Sequence, residues 1–123
     1  MAFLNDRVFD NGLTVLDTEA NAVYVTSAEA ADYTEATSTY ALGNSTSLSI
    51  AAPSDRTGGG RKVTVSAISD GSITGTGTVT HYALVDTVNS RLLATAALTA
   101  VQSVTNGNTF TLASFDIGIP DPS

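Results

Sequence analysis

The chain has 123 residues, enough for one domain and hardly for two. Twelve acidic residues against five basic ones leave a net charge of −7. That balance disfavours nucleic-acid or anionic-membrane binding, since both need clustered Lys and Arg. The absence of Cys excludes disulfides, thiolate nucleophiles and Cys-ligated zinc or iron–sulfur sites.

A hydrophobic fraction of 42% with 14% charged residues describes a folded chain. Thr and Ser make up about a quarter of it, and β-branched Thr suits a half-exposed sheet face. The opening Met-Ala-Phe-Leu-Asn-Asp-Arg lacks the run of about 7–15 apolar residues that marks a signal peptide. No stretch approaches the roughly 18 apolar residues of a spanning helix. The protein is therefore expected to be made in a cytoplasm and to stay soluble until assembled.

In chain order, Asn11-Gly12 is the first of three Asn/Asp-Gly pairs, which tolerate the positive φ of two-residue hairpin turns. Leu13 and Val15 follow it, and Ala22–Thr26 reads as a short strand. Residues 27–42 form the one plausible helical region, with Gly43 placed as its C′ cap. Residues 45–51 are expected to be a strand with Leu48 and Ile50 inward. The loop 53–60, Pro-Ser-Asp-Arg-Thr-Gly-Gly-Gly, separates the two halves.

The second half alternates more clearly. Residues 61–68 place Val63, Val65 and Ala67 on one face, and Asp70-Gly71 is expected to turn the chain. Residues 72–86 are extended, with Gly75-Thr76-Gly77 as a bulge or a place of close backbone approach. From Val79 to Val85 both faces are largely apolar, which predicts a central strand. A turn at Val88-Asn89-Ser90 leads into residues 91–98, where Leu92, Ala94, Ala96 and Leu98 share a face. Residues 100–105 are expected to pair through Asn106-Gly107 with residues 108–119. In that last stretch Phe110 and Leu112 are even while Phe115, Ile117 and Ile119 are odd. A bulge at Ala113-Ser114 would return both sets to one face. The predicted class is all-β: a β-sandwich or jelly-roll-like domain of about seven to eight short antiparallel strands, with one short helix near 28–42, over residues 1–123.

Candidate chemistry is sparse. His81, the sole histidine, has no nucleophile or orienting acid at a recognisable spacing. It reads as a strand histidine satisfied by a backbone carbonyl or a cross-strand hydroxyl. Asp17 with Glu19, and Asp116 with Asp121, lack the spacing of a calcium loop and read as acidic surface. Gly58-Gly59-Gly60-Arg61-Lys62 is no phosphate loop, because Val63 starts a strand and not a helix. Arg56, Arg61 and Lys62 still concentrate three of the five basic groups within seven residues, a candidate docking patch for an acidic partner. Tyr24, Tyr33 and Tyr40 fit a sugar platform, an interface or the edge of a core. No cofactor or metal is expected.

Several runs carry a resemblance. They are the opening Met1-Ala2-Phe3-Leu4-Asn5-Asp6-Arg7-Val8, the run from Tyr33 to Gly43, Ile50-Ala51-Ala52-Pro53-Ser54-Asp55-Arg56, Thr80-His81-Tyr82-Ala83-Leu84-Val85-Asp86, Ser90-Arg91-Leu92-Leu93-Ala94-Thr95 and Ser114-Phe115-Asp116-Ile117-Gly118-Ile119. Together they resemble a family of small structural proteins encoded among the virion genes of tailed bacteriophages. The resemblance covers nearly the whole chain and rests on no catalytic motif. It implies a non-enzymatic virion protein that decorates (cements) the outside of the head, with the major capsid protein and further copies of itself as partners, commonly as a trimer. Residues 1–20 and 116–123 would then serve as assembly arms, with Phe3, Leu4, Val8 and Phe9 as anchors and Arg56, Arg61 and Lys62 as shell contacts. Arms that instead close the protomer's own sheet are the competing expectation. A tail, connector or fibre-associated component and a carbohydrate-binding or adhesive module are the alternatives. A small hydrolase is the least supported.

Overall fold

The computed structural model describes residues 3–4, 12–57 and 61–119. Ten strands and two short helical turns build two antiparallel sheets over one shared core. The strands are β1 (Phe3–Leu4), β2 (Ala22–Thr26), β3 (Ala41–Ser45), β4 (Ser54–Asp55), β5 (Arg61–Val65), β6 (Ile68–Ile73), β7 (Gly77–Asp86), β8 (Arg91–Val104), β9 (Thr109–Leu112) and β10 (Phe115–Ile119). The larger sheet runs β1-β8-β7-β2-β3-β6-β9 and the smaller one β10-β5-β4. The chain is all-β, as expected. The chain passes between the sheets three times, across residues 46–53, at Ser66-Ala67 and at Ala113-Ser114.

Side-chain alternation explains why Ala22–Val25 of β2 and Tyr82–Val85 of β7 carry apolar or aromatic residues on both faces. Val23, Val25, Tyr82 and Leu84 point into the main core with Val63, Val65, Phe110, Leu112 and Ile117. Their neighbours Ala22, Ala83 and Val85 lie on the opposite face, under Ala30, Ala36 and Leu92. The segment between β2 and β3 thus covers the outer face of the large sheet, and a sheet covered on both faces tolerates no polar stripe. Val79–Val85 is central as predicted, since β7 pairs with β2 on one side and β8 on the other.

Helical structure is shorter than the sequence suggests. A π-helical turn at Glu35–Thr39 closes with the Tyr40 N–H donating to the Glu35 carbonyl at 2.9 Å. Its start is capped reciprocally: the Glu35 N–H donates to Asp32 Oδ1 and the Ala31 N–H to Glu35 Oε1, both at 2.8 Å. Gly43 is no helix cap. It lies inside β3, where a Cβ would come within 2.5 Å of the Ser72 carbonyl oxygen of β6. The six-residue helix α1 (Thr14–Glu19), unforeseen in the sequence, follows Gly12 at φ 71° and buries Val15 and Leu16 in the main core. Arg91 holds its end to β8 through Glu19 at 3.4 Å.

Four more expectations are corrected. Asp70-Gly71 is not a hairpin turn. It lies within β6, where one surplus residue between Ile68 and Gly71 keeps Ile68, Gly71 and Ile73 all buried against β9. Asn106-Gly107 does turn, with Gly107 at φ 93° and the Asn108 N–H closing on the Thr105 carbonyl at 3.1 Å. It does not make a β8–β9 hairpin, because β9 pairs with β6. Leu92 does not share a face with Ala94, since a bulge places Leu93 and Ala94 in the main core and Leu92 on the opposite face. Of the expected strand 45–51, Ser45 ends β3 and the rest forms only an isolated bridge, Ile50 to Val65, although Leu48 and Ile50 do pack on the core. The phase change at Ala113-Ser114 is the step between the sheets, and it brings Phe110, Leu112, Phe115, Ile117 and Ile119 onto one core.

Candidate interaction surface

The basic cluster falls on the small sheet. Cross-strand register sets Arg61 opposite Asp55 on β4, and Lys62 opposite Gly118 on β10, beside Asp116. The Arg61 guanidinium donates to Asp55 Oδ1 at 2.6 Å and to the Pro53 carbonyl at 3.1 Å. Lys62 Nζ donates to Asp116 Oδ2 at 3.1 Å, while the Thr64 hydroxyl donates to Asp116 Oδ1 at 2.7 Å. Those two hydrogen bonds, Thr64 first and then Lys62, together with the ammonium charge, hold the Asp116 carboxyl below the usual carboxylate range. Arg56 lies across Gly118, where a Cβ would approach its Cδ to 2.9 Å. Arg56, Thr57, Lys62, Asp116 and Gly118 line a half-open recess of about 370 Å³. The structure therefore brings Arg56, Arg61 and Lys62 together, but with Asp55 and Asp116 interleaved among them, and the patch is mixed in sign.

A second recess, about 420 Å³ and also half-open, lies where the two sheets part company. One wall is β8 from Ala96 to Ala100, with Gln102; the other is the corner from Leu112 to Asp116. β8 and β10 are both at or near the margins of their sheets, so the groove runs between two strand edges. Its floor is the Tyr82–Phe115 ring pair, with centroids 4.3 Å apart and planes tilted by 41°. Burial pushes the Tyr82 phenol up to about 12. The wall chemistry is mostly small and apolar, with Thr99, Gln102 and Ser114 as polar points and Asp116 as the one charged residue in its lining. Nothing in the sequence spacing pointed to this groove, because Tyr82, Leu98 and Phe115 meet only through non-local pairing.

The remaining candidates find plain partners. His81 Nδ1 meets the Thr80 hydroxyl at 2.7 Å, a neighbour on its own strand and not across the sheet. Among the described residues no three His, Asp or Glu gather as metal ligands, and no helix is long and apolar enough to cross a membrane. Tyr24, Tyr33 and Tyr40 converge half-buried on the alanine-rich second core. Phe3 and Leu4 form β1, which pairs with Thr95 and Ala94 of β8 and so adds to the protomer's own sheet. Val8 and Phe9 lie outside the described residues.

Comparison with protein-family models, curated proteins and solved structures found no match.

Proposed function

We propose that this chain is a non-enzymatic virion structural protein that decorates the outside of a tailed-phage head, in contact with the major capsid protein and with further copies of itself. Two things support the reading. The residue runs from the N-terminal segment to Ile119 resemble that class of protein. The physical observation that carries it is the character of the β8 flank. Residues 92–115 hold no charged side chain, Val101 is 62% exposed there, and an apolar half-open groove runs beside it. An acidic protein that concentrates its uncharged surface along one strand edge has a surface suited to being covered by protein. Many weak contacts of this kind, repeated over a symmetric shell, sum to durable attachment without an active site. The mixed patch of Arg56, Arg61 and Lys62 supplies polar contacts that orient docking.

The test is copy number on purified particles. Decoration predicts a gel band comparable in stoichiometry to the major shell protein. A handful of copies per particle would move the protein to the tail, connector or fibre. Binding to a glycan array that Tyr24→Ala, Tyr33→Ala or Tyr40→Ala abolishes would favour an adhesive module instead.

A further inference from the structure

We infer that the outer edge of β8 pairs antiparallel with the same edge of a second copy, about a two-fold axis beside Val101. The argument starts from the backbone. β7 covers one side of β8, and on the other side β1 pairs only with Ala94 and Thr95. Among the described residues no strand lies against that outer side from Ala96 to Val104. Between Ala97 and Gln102, β8 takes five steps while β7 takes two, from His81 back to Val79. The surplus leaves residues 98–101 without register partners on β7, and Thr99, Ala100 and Val101 are exposed, so their backbone groups are open to water or to another strand.

An open edge normally carries a guard, such as a Lys, a Pro or an inward charge that deters another strand. No Lys, Pro or inward charge stands here: residues 92–115 contain no charged side chain and no Pro, the longest charge-free stretch in the chain, and the bulge between Ala97 and Gln102 is the one irregularity of this open edge. The edge already accepts one strand, β1, at its near end, and a further strand would continue that line.

Charge and symmetry select the occupant. Two copies of a chain with net charge −7 repel wherever their carboxylates face one another. They approach at least cost along the charge-free edge. An antiparallel pairing of one strand with itself is self-complementary about a two-fold. Centred on Val101, it sets Leu98 against Val104, Thr99 against Ser103 and Ala100 against Gln102. The half-buried apolar pair falls at the ends, polar faces polar, and no like charges meet. The two large sheets then become one continuous sheet across the axis. This assembly is a dimer and not the trimer expected from the decoration role, and it stands or falls independently of the virion reading.

Sedimentation equilibrium of the purified chain tests it, with Val101→Lys as the probe and Val88→Lys as the control. Val88 is 81% exposed at the β7–β8 turn, away from the edge. The expected result is a reversible wild-type dimer, unchanged in Val88→Lys and weakened about tenfold or more in Val101→Lys, which sets two ammonium groups across the axis. Amides 98–104 should gain hydrogen-exchange protection on going from dilute to concentrated protein. Thr99→Lys serves as a second probe if circular dichroism finds Val101→Lys misfolded. A wild-type monomer at all concentrations, a trimer or larger assembly, or a dimer that the edge lysines leave intact would each overturn the proposal.

Discussion

Tyr82 of β7 and Phe115 of β10 sit in different sheets, and their rings meet at 4.3 Å where those sheets diverge. The pair is both a bridge between the layers and the floor of the groove beside β8. Tyr82 is buried while Phe115 is half-buried, so removing Phe115 both breaks the bridge and wets the Tyr82 face. Phe115→Ala should cost about 2 kcal/mol, less than a fully buried Phe because part of the ring is already in water. Phe115→Tyr keeps the stack and should cost much less. Chemical denaturation of the two variants measures the difference.

Burial places the Tyr82 phenol at about 12, above its ordinary value near 10. A group whose folded value is raised contributes stability that is complete below the unfolded value and is lost as pH rises through the folded one. The chain should therefore weaken between about pH 10 and 12 through Tyr82. Tyr82→Phe keeps the ring and removes the titration, so its unfolding midpoint should fall less over that range. Absorbance near about 295 nm should also show one fewer late-ionising phenol. Equal alkaline slopes in the two proteins would contradict the assignment.

Much of the fold is legible in local pattern, and the failures share a cause. Ala22–Thr26 and the apolar run Val79–Val85 follow from alternation and burial alone. The even-to-odd change across Ala113-Ser114 shows that both sets of side chains face one core. The β7–β8 hairpin was legible from its turn at Val88-Asn89-Ser90, but distant pairing partners were not, because β9 joins β6 across many residues and no local signal encodes that choice. Asp70-Gly71 resembles a turn, yet the glycine is required by the Phe110 ring above it. The helix α1 is too short to show a helical period. The Asp32–Glu35 cap did carry a sequence signal, an acid three residues before a Glu, which locates the short helical turn. In the candidate site, the clustering of Arg56, Arg61 and Lys62 was visible, but their acidic partners were not, since Asp116 reaches Lys62 only through the β5–β10 register.

Those ion pairs are exposed, and exposure sets their energetic weight. Arg61 and Asp55 are both largely in solvent, and Asp116 is half-exposed beside Lys62. Arg61→Ala should change stability by less than about 1 kcal/mol. In the decoration reading, Arg61→Glu with Lys62→Glu should weaken particle binding, and the loss should shrink as salt rises. Particle binding that is unchanged at low salt would remove this patch from the shell contact while leaving the fold argument untouched.

Gly71 offers a sharper packing test. It is buried opposite Phe110 of β9, and a Cβ at this position would overlap the Phe110 ring. Phe110 belongs to the main core and is only 5% exposed, so its ring cannot simply swing to solvent. Gly71→Ala should cost about 1–3 kcal/mol by overpacking. Pairing it with Phe110→Leu should recover part of that loss, which a double-mutant cycle reads as a coupling between the sites. Additive losses would show that the glycine serves the bulge backbone and not the ring.

Asp86 organises the turn between β7 and β8. The residue is only 2% exposed, and its carboxylate accepts from the Val88 N–H at 3.0 Å, the Asn89 N–H at 3.3 Å and the Asn89 side-chain amide at 2.8 Å. These bonds let Ser90 adopt φ 55° and return the chain into β8. Burial opposes ionisation. The Asn89 side chain, the two backbone N–H groups and nearby Arg91 outweigh it, so the carboxyl titrates below its ordinary range. With a depressed folded value, its contribution is present above the unfolded pKa near about 4 and is lost as pH falls through the folded value. Urea midpoints should thus decline from about pH 5 downward. Asp86→Asn, which keeps an acceptor but gives up the charge, should be less stable at neutral pH and show a shallower acid decline. Asp116 is depressed as well and acts with the same sign, so some slope should persist in Asp86→Asn and diminish further when Asp116→Asn is added. An acid decline that is as steep in Asp86→Asn as in the wild type would mean that the turn is held by its backbone alone.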